Sequence, residues 1–172
     1  MIRPSGIPTL STKHLTLRAA RVEDFDAYAD FLGSDAAAMV DGPMTRREAW
    51  RRFIGLPGHW ALRGYGWWIL DDGAGPVGTC GIHFPPTHPE PELGWMLFPA
   101  AQGKGFATEA AHAARNWWYG RGETRLASNI HFDNAPSIAV ARRLGCTTDG
   151  TPLAHYPVGS AWIHPGPDEA AA

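Results

Sequence analysis

Pro99-Ala-Ala-Gln-Gly-Lys-Gly-Phe-Ala-Thr-Glu109 crowds small residues into the junction between a hydrophobic strand and an amphipathic helix. Upstream, Glu92-Leu-Gly-Trp-Met-Leu-Phe98 reads as extended; downstream, Ala107, Ala110, Ala111, Ala114 and Trp118 recur at helical spacing up to Gly120. A strand that becomes a helix through Gly103 and Gly105 forms an anion cradle. The helix start presents unpaired N–H groups and a positive dipole end, and glycine lets the backbone approach a phosphate with no Cβ in between. A pyrophosphate fits such a turn, although glycine content alone describes an ordinary glycine-rich turn at least as well.

Two nucleotide-binding spacings fail in this stretch. A P-loop needs Ser or Thr after its Gly-Lys pair, and Lys104 is followed by Gly105. The dinucleotide fingerprint needs Gly or Ala where Thr108 stands, and the strands before the turn read as antiparallel. What remains is Gln102-x-x-Gly105-x-Ala107.

Around this core the chain alternates strands and helices. His14 to Arg18 alternates like a strand, and Val22, Phe25, Ala29 and Leu32 then share a helical face that Gly33 closes. Thr45 is placed to cap a second helix reaching Arg63, with Glu48 and Arg52 at i,i+4 and a break expected at Leu56-Pro57-Gly58. Gly66 to Asp71 and Pro76 to Phe84 flank the turn Asp71–Gly75 and, with Glu92 to Phe98, form an antiparallel meander. After the glycine turn come a helix, a strand from Arg125 to His131, and a last helix capped by Asp133. That helix has Pro136 in its first turn, Ile138, Ala141 and Leu144 as its buried stripe, and Gly145 as its stop. Two short extended pieces follow around Cys146–Pro152 and Ser160–His164, then a frayed tail over 166–172. The pattern is a mixed α/β (α+β) domain with one parallel crossover, in its second half.

Composition narrows the function classes. A chain of 172 residues with 44% hydrophobic content is expected to fold as one domain over 1–172, its core spanning about 12–165. A net charge of -2 argues against nucleic acid or an anionic membrane as partner. Cys80 and Cys146 lack CxxC spacing, which removes a disulfide framework and a thiolate zinc site and suits a reducing cytoplasm. The first residues hold no signal-peptide apolar region and no later run approaches a membrane span, so a soluble, unexported protein is expected. The eight Trp read as core or dimer contacts, leaving a homodimer open. The eight His show no HExxH and no Cys/His cluster, so no metal is expected.

Gln102-x-x-Gly105-x-Ala107 resembles the signature of the GNAT acetyltransferase superfamily, and Asn134-Ala-Pro-Ser137 through Leu144-Gly145 resembles that family's second motif in register. Glu92 to Pro99, Thr108-Glu109-Ala110 and Leu15-x-Leu17-Arg18 are similar to its RimJ/RimL-like branch; the likeness runs from about Leu15 to Thr151. Cys146, where Phe or Ala commonly follows Leu-Gly, and the proline-rich end after Thr151 depart from the pattern.

The resemblance implies a GNAT fold with a mixed sheet of six to seven strands, a splayed strand pair and about four helices. It implies acetyl-CoA as co-substrate and a primary amine as acceptor, either a protein N-terminus or a small molecule. The pyrophosphate would sit on Gln102, Gly103, Lys104, Gly105, Phe106, Ala107 and Thr108, and pantetheine along Met96, Leu97 and Phe98, where one N–H faces the thioester oxygen. Asn134 would bond pantetheine. In that Asn-x-x-Ser pattern Ser137 would lie near the sulfur, and with no Tyr between Asn134 and Leu144 it is the only local hydroxyl. Glu92 is the first candidate base, with His83 and Glu90 behind it. An α-amine needs about 1 kcal/mol to lose its proton at pH 7 and a lysine about 4.6, so a weak base serves an N-terminus. By the same analogy residues from Asp35 to Arg63 and around Tyr156 flank the acceptor groove, and Arg46, Arg47, Arg51 and Arg52 either orient an acidic substrate or form a solvated face. A coenzyme A-binding regulator without turnover is the alternative.

Overall fold

Residues alternate between two faces of one sheet, and each face receives its own pair of helices. The computed structural model describes residues 6–170. Its strands are β1 (Leu10–Ser11), β2 (Thr16–Arg18), β3 (Trp67–Asp71), β4 (Pro76–His83), β5 (Glu92–Leu97), β6 (Ala127–His131), β7 (Pro152–Leu153) and β8 (Tyr156–Ile163). The spatial order is β1-β2-β3-β4-β5-β6-β8-β7, antiparallel throughout except between β5 and β6. The helices are α1 (Phe25–Leu32), α2 (Arg46–Arg63), α3 (Phe106–Tyr119), α4 (Ala135–Arg143) and the short α5 (Pro167–Ala170).

The period of two in β3 sorts the core. Trp68 and Leu70 join Cys80, Ile82 and Leu93 against Ala110, Ala111, Ala114 and Trp118 of α3 and Val140 and Ala141 of α4. Ile69 points the other way and, with Met96 and Phe98, meets Tyr28, Ala29 and Leu32 of α1 and Phe53 and Leu56 of α2. The expected hairpin between β3 and β4 turns on two short caps: Gly73 N–H bonds Asp71 Oδ1 at 2.9 Å and Ala74 N–H bonds Asp72 Oδ1 at 3.0 Å.

The mixed α/β architecture matches expectation, with eight strands among the described residues rather than six to seven. The added piece, β1, is two residues, too short to leave a periodic trace, while the piece expected around Cys146–Pro152 shrinks to a single bridge at Thr147 and the two-residue β7. Other local readings change. Pro57 does not interrupt α2, which runs unbroken while Phe53, Leu56 and Trp60 stay buried around it; packing outweighs the lost backbone bond. Thr45 caps that helix and Glu48 completes the box, but Arg52 turns from Glu48 to Val40 O at 2.6 Å. Val22 lies in a 3-10 turn ahead of α1 and is exposed, so it leaves the buried stripe. The cap of α4 is Asn134, whose Oδ1 accepts from Ser137 N–H at 3.2 Å, and not Asp133. Gly145 ends the helix with φ of 77° as expected. The final extended piece is longer than Ser160–His164, beginning at Tyr156, and the part of the expected tail from Pro167 to Ala170 is helical; 171–172 lie outside the described residues.

Two buried cations tie distant elements. Arg115 of α3 donates to Leu144 O at the end of α4, at 2.6 Å. Arg18 grips Asp24 with two bonds of 2.7 and 2.8 Å and reaches Asp71 Oδ2 at 2.8 Å, joining β2, the start of α1 and the hairpin. Burial opposes ionisation of Asp71, but the Gly73 N–H and the Arg18 guanidinium outweigh it and hold its carboxyl below the usual range. Removing one partner of such a buried pair strands the other, so Asp24→Ala should lower stability by about 3 kcal/mol in urea titrations. Asp71, with its depressed native value, contributes above the unfolded carboxylate value of about 4 and loses that contribution as pH falls through the folded value. The urea midpoint should therefore drop from pH 6 to pH 3 (both chosen to bracket about 4), and drop less in Asp71→Asn.

Candidate functional site

The parallel partnership of β5 and β6 is confined to one register pair, Glu92 with Ala127, supported by Ala127 N–H bonding Pro91 O at 3.0 Å. One residue further on, the Ser128 hydroxyl donates to Leu93 O at 2.6 Å and takes the place of a ladder bond. His164 Nε2 stands 3.0 Å behind that hydroxyl. Because the single Ser128 proton goes to Leu93, the His164 ring must donate from Nε2, which leaves Nδ1 as the unpaired lone pair found there. Burial pushes this imidazole down to about 3, so it stays neutral. Beyond Ser128 the two strands diverge.

The divergence opens a cavity of about 570 Å³. β5 supplies Glu92 and Leu93 to Met96, β6 supplies Ser128 to His131, and α4 supplies Asn134 and Ser137. The other wall is Met39 to Asp41, then Arg52, Gly55, Leu56 and His59 of α2, with His155 and Tyr156 closing the end. Residues from the stretch 35–63 and Tyr156, which the family resemblance set beside an acceptor groove, line this cavity. Of the four arginines, only Arg52 lines this cavity; Arg46 pairs with Asp26 and Asp30 on the outer face. The edge of the Trp67 ring abuts β5, so that a Cβ added at Gly94 would meet it at 2.4 Å.

Successive residues of a strand aim their backbone groups at opposite edges. Phe98 N–H bonds Val77 O on β4 at 2.9 Å, while Leu93 O bonds Ser128 on the β6 side. Trp95 and Leu97 therefore turn their N–H groups into the gap, and Met96 and Phe98 turn theirs to β4. Met96 still reaches the cavity with its side chain, whereas Phe98 packs on Phe31 with ring centroids 5.4 Å apart and offers a ligand no free N–H.

The glycine turn lies outside the cavity lining, at the far end of β5. Gly103 and Gly105 have φ of 76° and 81°, and no protein atom lies within 4 Å of a Cβ built on either, so the surface above them is open. Gly105 caps α3 without a side-chain bond, leaving the N–H groups of Phe106, Ala107 and Thr108 at the helix start. Thr108 Oγ1, three residues past Gly105, is buried and has no protein partner. Gln102 bonds Leu97 O at 3.1 Å and Lys104 rides over the Phe106 ring at 5.8 Å. These features fit a pyrophosphate.

At the other end of β5, burial raises the Glu92 carboxyl to about 7 despite its bond from Asn129 Nδ2 at 2.8 Å. Its Oε2 lies 3.0 Å from His88 Nε2 and 3.6 Å from His83 Nε2. Burial, with His88, His59 and Arg52 nearby, pushes His83 down to about 4, and burial and His155 lower His88. The 3.0 Å contact between Glu92 and His88 is of hydrogen-bond length, with one of the two groups supplying the proton. Glu90 is drawn instead to Arg125 at 3.3 Å, away from the cavity. Five of the eight histidines line this cavity: His59, His83, His88, His131 and His155. His59 is committed to the fold, its Nδ1 on Tyr65 O at 2.6 Å and its Nε2 accepting from Phe84 N–H at 3.4 Å. Sequence spacing concealed this gathering because the rings arrive from five segments; the proline-rich loop between His83 and Glu92 was the one local hint.

Comparison with known proteins places this geometry. Residues 14–147 match the model of the acetyltransferase (GNAT) domain. The structure resembles an acetyltransferase from Agrobacterium tumefaciens str. C58 at 35% identity and TM-score 0.86, covering 92% of this chain and 95% of that one. The fold is shared with RimL, a ribosomal L7/L12 alpha-N-protein acetyltransferase solved with coenzyme A, at 20% identity and TM-score 0.75, with 94% and 99% of the two chains covered. It is also shared with an acetyltransferase from Salmonella typhimurium that modifies the N-terminal serine of L7/L12, at 21% identity and TM-score 0.70, over 89% and 94%.

Proposed function

Because the chain belongs to the GNAT acetyltransferase family, we propose that it works as one domain that moves acetyl from acetyl-CoA to a primary amine by direct attack in a ternary complex. The observation that carries this reading is β5 itself. One end opens the glycine turn, the other carries a buried carboxylate, and the gap between them is lined by Asn134 and Ser137. A module that only bound coenzyme A would have no use for Glu92 in that place.

In this reading the pyrophosphate rests on the turn from Gln102 to Thr108, held by the first N–H groups of α3 and the Thr108 hydroxyl. The pantetheine arm runs into the gap beside Leu97 and Asn134, whose side-chain N–H remains free while its oxygen caps α4. The N–H groups of Trp95 and Leu97 face the thioester oxygen and stabilise the charge that develops there. The amine nitrogen bonds to the carbonyl carbon, the C–S bond breaks, and the thiolate takes a proton near Ser137. Glu92 accepts the proton the amine sheds, directly or through one water. Asp41, the other carboxylate on the lining, is exposed and lies 3.8 Å from Arg52, so it is a poorer base. One weak base suits an α-amine, such as a protein N-terminus, or a small amine of similar basicity better than a lysine.

Gly105→Glu places charge and bulk on the cradle and should abolish measurable acetyl-CoA binding by calorimetry; unchanged affinity would remove the central claim. Glu92→Gln should lower kcat about 100-fold across a panel of amines and N-terminal peptides with acetyl-CoA affinity retained. Ser137→Ala should slow turnover without abolishing it, since a thiol of pKa about 8.5 leaves with modest help. Tight acetyl-CoA binding with no release of thiol on any amine would instead identify a regulator.

A further inference from the structure

His83 and Glu92 are directly opposed partners in the β4–β5 ladder, and the loop between them folds His88 back onto both. One donor atom from each of the three lies within 4.8 Å of the other two. Two of the separations are 3.0 and 3.6 Å, both from Glu92 Oε2. Tetrahedral zinc with bonds of about 2.0–2.2 Å to imidazole and carboxylate sets its ligands roughly 3.3 Å apart. Both separations from Glu92 are near that spacing and the two imidazoles lie within 4.8 Å of each other, so two nitrogens and one carboxylate converge in a half-buried pocket. We propose that His83, His88 and Glu92 form a site for a divalent transition-metal ion of the zinc type, and that an ion held there shuts off acetyl transfer by occupying Glu92. The second clause rests on the reading of Glu92 given above; the first does not.

The donor set selects the ion. Two imidazole nitrogens favour zinc, cobalt, nickel or copper over magnesium and calcium, which seek oxygen. Outer contacts hold the ligands in place. Asn129 Nδ2 fixes Glu92 Oε2 at 2.8 Å, and the Trp67 ring lies 5.4 Å from that of His83. His155 flanks His88 with ring centroids 4.6 Å apart and closes that side. The position left open faces the cavity, where water or the acceptor amine would complete the ion's shell. All three ligands belong to one hairpin, so the ion would also clip the proline-rich loop to the sheet.

The test uses full-length, tag-free protein stripped with EDTA. Zinc titrated by competition with a chromophoric chelator should bind one ion per chain, and cobalt should show the intense visible bands of a tetrahedral site. His88→Ala and Glu92→Gln, checked for folding by circular dichroism, should each weaken binding at least tenfold, whereas His112→Ala on the outer face of α3 should bind as the parent does. Absence of one-to-one binding, or binding unchanged in both His88→Ala and Glu92→Gln, overturns the site. Acetyl transfer, followed by mass spectrometry of the product, should fall on adding zinc, recover with EDTA and resist zinc in His88→Ala; zinc that binds at the triad without slowing transfer overturns the inhibitory role. Failure of transfer with every amine in metal-free protein would count against the acetyltransferase reading and leave the binding result standing.

Discussion

Everything that makes this fold more than a packed sheet follows from the place where β5 and β6 stop pairing. Parallel strands normally continue their ladder, because an unpaired backbone group inside a protein is costly. Here Ser128 ends it by giving its hydroxyl to Leu93 O, with a neutral His164 behind it. The interruption is satisfied rather than tolerated. Beyond it the strands part, and the edge of β5 becomes available to a ligand without loosening the sheet, since β4 still holds the other edge over six register pairs.

That arrangement assigns separate work to the two faces and the two ends. The face under α3 and α4 is a dense apolar core in which Trp60, Trp68 and Trp117 meet edge to face. The face under α1 and α2 carries the cavity wall. Along β5, the glycine turn at one end is open, exposed and served by a helix start, whereas the Glu92 end is half-buried and lined by imidazoles. The first environment suits a doubly charged anion. In the second, protonation states near neutrality become sensitive to neighbours.

The legible parts of this molecule were those written in short stretches. The glycine turn, the α3 stripe and the helix that Gly145 stops each depend on residues a few positions apart, and the structure forms all three, the last with its cap shifted to Asn134 and Val140 buried more fully than Ile138. Glu92 could be picked out because it heads the strand that leads to the turn. Readings failed where distant packing overrules local preference: Pro57 remains helical because Leu56 and Trp60 are pinned on either side, and Arg52 abandons Glu48 for Val40. The imidazole cluster was illegible for the same reason. His83, His88 and His155 belong to a strand end, a loop and a distant turn, and no spacing rule links them. The edge of β5 left unpaired could be read only in part: the stretch Met96 to Phe98 was named, but side-chain identity does not reveal that the N–H groups of Trp95 and Leu97, and not those of Met96 and Phe98, face the gap.

The two ends of the cavity also differ in how much chain must come together to make them. The anion end is one continuous run, from β5 through the turn and α3 to α4, held largely by neighbours in sequence. The Glu92 end needs Arg52 and His59 of α2, His83 to Glu92 from the middle, and His155 and Tyr156 from near the end. Joining segments about a hundred residues apart carries a loop-closure penalty that a contiguous unit avoids. The run from β5 to α4 thus needs fewer long closures than the opposite wall, which is complete only once β8 has docked beside β6.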